Sequence, residues 1–202
     1  VVAARRAPRL HPHERRARLL AAAVRVLVRR GVARTQVSHI VREAGVSRGT
    51  FYKQFDSKRH ALGVAARELL DRMLPALPRV ASVTTRAELE AAFAGLHVHV
   101  LSAALADRDV ARLVLVGGAG NEPEAARFIA AHEEAWRRLV GKLLVRARAV
   151  KLLRDGVDLA LATSMIVGSV QHVLRATARA GTGDAAPLAA ALARFHADAL
   201  AG

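Results

Sequence analysis

The sequence predicts an all-α protein, and three observations carry that prediction. Hydrophobic residues make up 52% of the chain but aromatics only 3%, so aliphatic side chains and Ala must fill the core. Ala, Leu and Arg, which recur throughout, are favourable helix formers. Apolar residues return at spacings of three and four in stretches separated by Gly and Pro, the mark of amphipathic helices. At 202 residues the chain is long enough for a small head on a larger body with a substantial core.

About nine helices follow from the periodicity. Residues 1–12 read as a disordered basic tail, because Pro8 and Pro12 oppose helix there. The first helix spans His13 to Arg30, with Leu20, Val24, Leu27 and Val28 on one stripe and Arg18, Arg25 and Arg29 opposite, and Gly31 ends it. Thr35 is the expected N-cap of a short second helix, Val37–Ala44, with Val37, Ile40 and Val41 inward. Gly45 permits a left-handed turn, and Ser47 caps a third helix, Arg48–Gln54, in which Phe51 and Phe55 share a face. Ser57 caps a fourth helix that runs to Leu74, where Pro75 and Pro78 stop it. The body is then expected to contain helices over Arg86–Ala106, Asp107–Val116, Pro123–Leu153, Val157–Ala180 and Pro187–Ala201.

Charge placement narrows the function. Residues 1–60 hold 15 Lys+Arg against 3 Asp+Glu, whereas the other 142 residues hold 17 against 14. A general preference for Arg does not explain that asymmetry, and a basic excess at one end attracts polyanions. There is no Cys, which removes disulfides, thiolate metal sites and Cys nucleophiles. The longest apolar run, Leu161 to Leu174, is interrupted by Gln171 and His172, and the chain reads as soluble and cytoplasmic, with no membrane partner.

Helix, Gly45, Ser47 cap and short helix form a helix-turn-helix pattern, in which the second helix enters the DNA major groove and the first braces against the backbone. The groove face must be polar, small or basic and the rear apolar. Phe51 and Phe55 anchor the rear, leaving Arg48, Gly49, Thr50, Tyr52, Lys53 and Gln54 available. From Thr35 to Leu62, and above all in AGVSRGTFYKQFDSK (Ala44–Lys58), the chain resembles the TetR family of bacterial transcriptional regulators. The resemblance implies phosphate contacts at Thr35, Gln36, Tyr52 and Lys58, and base reading by Ser38, Arg48, Gly49, Thr50 and Lys53. Gln54 and Val28 depart from the family pattern, where His and Phe are common. The chain accordingly divides into the tail, a DNA-binding head over 13–60, and a ligand-binding and dimerisation body over 61–202.

The body carries no catalytic constellation. His97 and His99 project about 200° apart on a helix, His132-Glu133 lacks the second His of a zinc helix, and no phosphate-binding Gly loop is present. No enzyme activity, cofactor or metal is expected. His97 and His132 stand on otherwise apolar stripes, as polar groups of a mostly apolar pocket do, and buried core histidines are the competing reading. In the resembled family the pocket lies among the fifth to eighth helices. The candidate lining is Phe93, His97, Val100, Phe128, His132, Trp136, Met165, Ile166 and Ser169. The expected function is a repressor that releases a pseudo-palindromic double-stranded operator when a small apolar molecule binds. The expected assembly is a homodimer through the last two helices. An architectural DNA-binding dimer with no allosteric site is the alternative, and an internal cavity discriminates between them.

Overall fold

A computed structural model describes residues 11–74, 83–117 and 119–201. Among these residues the architecture is nine α-helices and no β-strand. They are α1 (Pro12–Arg30), α2 (Val37–Ala44), α3 (Arg48–Tyr52), α4 (Lys58–Met73), α5 (Arg86–Ala106), α6 (Arg108–Leu115), α7 (Pro123–Ala149), α8 (Leu159–Ala180) and α9 (Ala185–Leu200), with a 3-10 turn at Ala119–Asn121 before α7. The all-α prediction therefore holds. Residues 1–10, Pro75, Pro78 and Gly118 lie outside the described residues, and so does nearly all of the expected tail.

Several boundaries differ from the sequence reading for local reasons. α1 starts on Pro12, because the first helical position needs no backbone donor and suits the fixed φ of Pro. The N-cap of α2 is Gln36, whose N–H donates to His39 Nδ1 at 3.2 Å. Thr35 is not the cap: its side chain is buried and its hydroxyl donates back to the Gly31 carbonyl at 2.8 Å. α3 stops at Tyr52, two residues early. α7 stops at Ala149 because Lys151 adopts φ +59°, and the apolar Leu152 and Leu153 that prolonged the periodic pattern belong to the connection. Leu153 pairs across that connection with Ala201. Aspartate caps set the true starts of α8 and α9. Asp158 accepts from the N–H groups of Ala160 and Leu161, and Asp184 from that of Ala186.

The head, α1 to α3, closes over Leu19, Leu27, Ile40, Phe51 and Phe55, all essentially inaccessible to solvent. Gly45 takes the left-handed conformation at φ +66° that turns α2 into α3. α4 leaves the head and packs on α5, α6 and α7, while α9 lies along α5. Two helices, α5 and α8, are long and apolar enough to cross a membrane by length and composition, and both lie within the bundle with one face buried.

Candidate DNA interface and effector cavity

Ser47 organises the candidate reading helix. Its hydroxyl accepts from the Thr50 N–H at 3.1 Å and lies 3.0 Å from the Thr50 hydroxyl. Phe51, fully buried, sets which face turns outward. Arg48, Gly49, Tyr52 and Lys53 are then exposed and Thr50 half-buried. Neither Arg48 nor Lys53 forms an ion pair among the described residues, so both cations remain available to an external anion. A Cβ added at Gly49 would meet nothing nearer than the Ser47 hydroxyl at 3.8 Å. Internal packing does not require a glycine there, and the bare backbone leaves room for close external approach.

On α2, Gln36 is exposed and Ser38 half-buried, with the Ser38 hydroxyl donating to Gln36 Oε1 at 3.3 Å. Two expected phosphate contacts are placed otherwise. Thr35 is buried, and the Lys58 ammonium donates to three carbonyls, those of Val32, Ala33 and Thr35, at 2.7, 3.2 and 2.7 Å. The remaining head cations include Arg25 and Arg29, which converge on Glu43 at 2.9 and 2.6 Å, tie α1 to α2 and hold that carboxyl below its ordinary range. Arg16 lies over the Phe55 ring, 5.1 Å from its centroid.

The body contains a partly open cavity of about 260 Å³. α4 contributes Leu70 and Met73, α5 Val100, and α6 with its following residue Val114, Leu115 and Val116. Ile129, His132, Glu133 and Trp136 come from α7, Val167, Val170, Gln171, Leu174 and Arg175 from α8, and Asn121 from the turn. Apolar walls with a few polar groups suit a small apolar molecule. His132 is held neutral at pH 7: burial pushes its imidazole down to about 4, against a hydrogen bond to the Leu70 backbone and the charge of Asp71, which favour protonation. The cavity therefore presents no imidazolium to an occupant.

Three of the nine expected lining residues, Val100, His132 and Trp136, border this cavity. The other six do not. Phe128 faces α4, with the Arg67 guanidinium 5.7 Å from its ring centroid. Met165 is 65% exposed, and Ile166 is buried on a different face of α8. Phe93, His97 and Ser169 belong to a separate buried cluster between α5, α8 and α9. There the Phe93 and His97 rings stack at 5.9 Å, and His97 lies 5.0 Å from His196. Ser169 Oγ donates to the Ile166 carbonyl and sits 2.8 Å from His196 Nε2, which must then be the donor of that second bond. The sequence reading named no lining residue on α4 or α6. On α8 it missed the stripe Val167, Val170, Gln171 and Leu174, whose three-and-four spacing around one glutamine was the available signal.

Residues 19–62 match a family model described as bacterial regulatory proteins, tetR family. Over that segment the chain is similar to the TetR family. TetR-family regulators bind DNA through a helix-turn-helix head of this kind and as a class are not enzymes. The fold extends the likeness along the chain. The fatty acid degradation regulator FadR from Bacillus halodurans aligns with 21% identity over 94% of this chain and 97% of its own, at a TM-score of 0.74. FadR from Bacillus subtilis, solved in complex with stearoyl-CoA, aligns with 20% identity over 90% and 97%, at 0.70. The complex of triclosan with SmeT, the Stenotrophomonas maltophilia repressor of the SmeDEF efflux pump, aligns with 22% identity over 94% and 92%, at 0.74. At these identities the likeness shows a shared fold. No curated protein shows significant similarity to the chain.

Proposed function

We propose that this chain is a TetR-family regulator, a cytoplasmic repressor that leaves its operator when a small, largely apolar molecule fills the cavity between α4 and α8. The observation that carries the reading is the span of α4. Its first turn is bonded to the head through Lys58, and its last turn supplies Leu70 and Met73 to the cavity wall. An occupant that moves that wall acts on the head through one helix. The effect requires a difference in affinity between DNA-bound and released states, so operator DNA must weaken effector binding by the factor that effector weakens operator binding. Complexes of FadR with stearoyl-CoA and of SmeT with triclosan support an effector role for the cavity, and the architectural alternative has no use for one.

The head occupies residues 13–60 and the body 61–202. Two copies pair through α8 and α9, which carry Leu161, Met165 and Phe195 exposed by 59%, 65% and 64%. At Gly168 an added Cβ would meet nothing within 4 Å, leaving that face of α8 open to a close neighbour. A twofold dimer presents two reading helices to a pseudo-palindromic operator. Arg48, Gly49, Thr50, Lys53 and Ser38 read bases, while Gln36 and Tyr52 take backbone phosphates.

The test starts from an operator recovered by selection on random duplexes. Its release is followed by fluorescence anisotropy as triclosan, stearoyl-CoA and related apolar molecules are added. Val170→Trp, which fills the cavity, is expected to keep operator affinity within about threefold and to abolish the response to whichever molecule releases the wild type. Arg48→Ala and Lys53→Ala are each expected to cost about 1–3 kcal/mol at particular base pairs. Undiminished release from the Val170→Trp variant would place the effector elsewhere.

A further inference from the structure

α7 brings two nitrogen heterocycles to the cavity wall one turn apart. His132 and Trp136 share a face of that helix, with ring centroids 6.4 Å apart. Their polar atoms are complementary. Trp136 is buried, and its indole N–H, a donor only, has no acceptor among the described residues. His132 is hydrogen-bonded to the backbone of Leu70. That bond favours the protonated ring, so the imidazole donates and the Leu70 carbonyl accepts. Leu70 lies in the last turn of α4, where carbonyls lack helical partners. A neutral imidazole has one N–H; this bond uses it and leaves a lone pair on the other ring nitrogen. The wall therefore offers one donor and one acceptor on a single helix face, opposite the aliphatic Val167, Val170 and Leu174 of α8.

The other polar lining groups are more open. Asn121 and Arg175 are exposed, and Glu133 and Gln171 half-buried, so water reaches them. Glu133 and Arg175 carry opposite charges, and the lining as a whole favours neither an anion nor a cation. One group answers both Trp136 and His132 with a single oxygen: a hydroxyl, which accepts at oxygen and donates its proton.

We propose that the cavity selects a neutral apolar molecule bearing a hydroxyl, whose oxygen accepts the Trp136 N–H and whose proton is donated to the free ring nitrogen of His132. This rests on the reading of the cavity as the effector site and names the chemistry that the site recognises. An analogue without the hydroxyl leaves both protein groups unpaired, which a polar pair in an apolar site punishes more than the loss of a methylene.

The test is calorimetric titration of the wild type at pH 7 with a matched series. para-Butylphenol, para-butylanisole, para-butyltoluene and para-butylbenzoate share one apolar body and end in a hydroxyl, a methyl ether, a methyl and a carboxylate. Transfer out of water alone favours the toluene over the phenol, because a hydroxyl is costly to desolvate. The expected order is the reverse. The phenol binds at least tenfold tighter than the ether, the ether tighter than the toluene, and the benzoate weakest. In Trp136→Phe the ether should fall to the level of the toluene while the phenol keeps its lead over the ether. In His132→Leu the phenol should fall to the level of the ether, which keeps its lead over the toluene. The wild-type series stands even where a variant fails to fold. The ring-saturated alcohol separates the two sources of a hydroxyl: parity with the phenol means alcohols and phenols alike, a tenfold deficit means phenols, and the proposal holds in both. Ranking by apolarity, or a benzoate that binds tightest, overturns the proposal and leaves the effector cavity standing. Binding of the series undiminished in Val170→Trp, or of none of it by the wild type, defeats the cavity reading and the proposal with it.

Discussion

Head and body dispose of their polar groups in opposite ways. In the head, Arg48, Tyr52 and Lys53 point outward, and the buried Thr35 satisfies its hydroxyl on a backbone carbonyl. The described residues contain three buried side-chain nitrogens without a partner, His97 Nδ1, Trp136 Nε1 and His196 Nδ1, and all three lie in the body. Such atoms cost stability and need an explanation. The two imidazole nitrogens are the lone-pair sides of rings whose other nitrogens are bonded, which is the cheaper way to leave an atom unpaired. His97 bonds the Ala189 backbone, and His196 bonds Ser169. The head keeps its cations at the surface, and the body keeps neutral polar atoms inside.

The strongest way to break this contrast is acid. Burial pushes His97, His132 and His196 down to about 4 from 6.5, and the neighbouring His196 lowers His97 further. Between those values the unfolded chain takes up protons that the folded chain refuses. Stability is therefore unaffected above about pH 6.5 and falls steadily as pH drops towards 4. From pH 7 to 4.5 each shift is worth at most about 2.4 kcal/mol, and with His132 and His196 discounted for partial exposure the three together are expected to cost about 5 kcal/mol, measured by guanidinium unfolding at each pH. In the variant His97→Leu with His196→Leu the acid limb should flatten. An unchanged limb would mean that the buried histidines of the body are not what acid attacks.

Next in size is the head core. Phe51→Ala removes a fully buried ring beneath the reading helix and is expected to cost about 4 kcal/mol, together with most operator affinity. A loss under about 1 kcal/mol would show the head to be loosely packed, and the comparison with the body would fail. Smallest is the cap. Ser47→Ala removes one bond at the start of α3 and should cost about 1 kcal/mol in the same unfolding measurement. Its effect on the operator-to-random ratio tells how far that cap orients Arg48.

In the head, the turn between α2 and α3 was the legible part of the sequence. The limits of α2, Val37–Ala44, coincide with those read from the pattern, because Gly45 must end α2 and Ser47 must start α3. The limits of α5 coincide as well. In the body, apolar spacing locates a helix but not the use of each face. Around α8 one face is exposed at Leu161 and Met165, another packs at Ile166, and the cavity takes Val167, Val170 and Leu174. Neighbouring positions on a helix differ by about 100°, so choosing Ile166 over Val167 missed the cavity by one step. Phe93 and His97 were misplaced for a related reason. Their stripe is buried, as the pattern required, but against α9, and nothing in the pattern of α5 states which helix will cover it.

The chain holds a single tryptophan, and Trp136 stands on the cavity wall with its ring 6.4 Å from that of His132. The chain thus carries its own optical gauge. An indole buried among aliphatic walls emits towards the blue, and anything that enters the cavity, wets it or gives the Trp136 N–H an acceptor shifts that emission. Protonated imidazole quenches indole fluorescence, so the same signal also records the charge state of His132. Occupancy of the body can therefore be read in solution, without DNA and without a label, before any operator sequence is known.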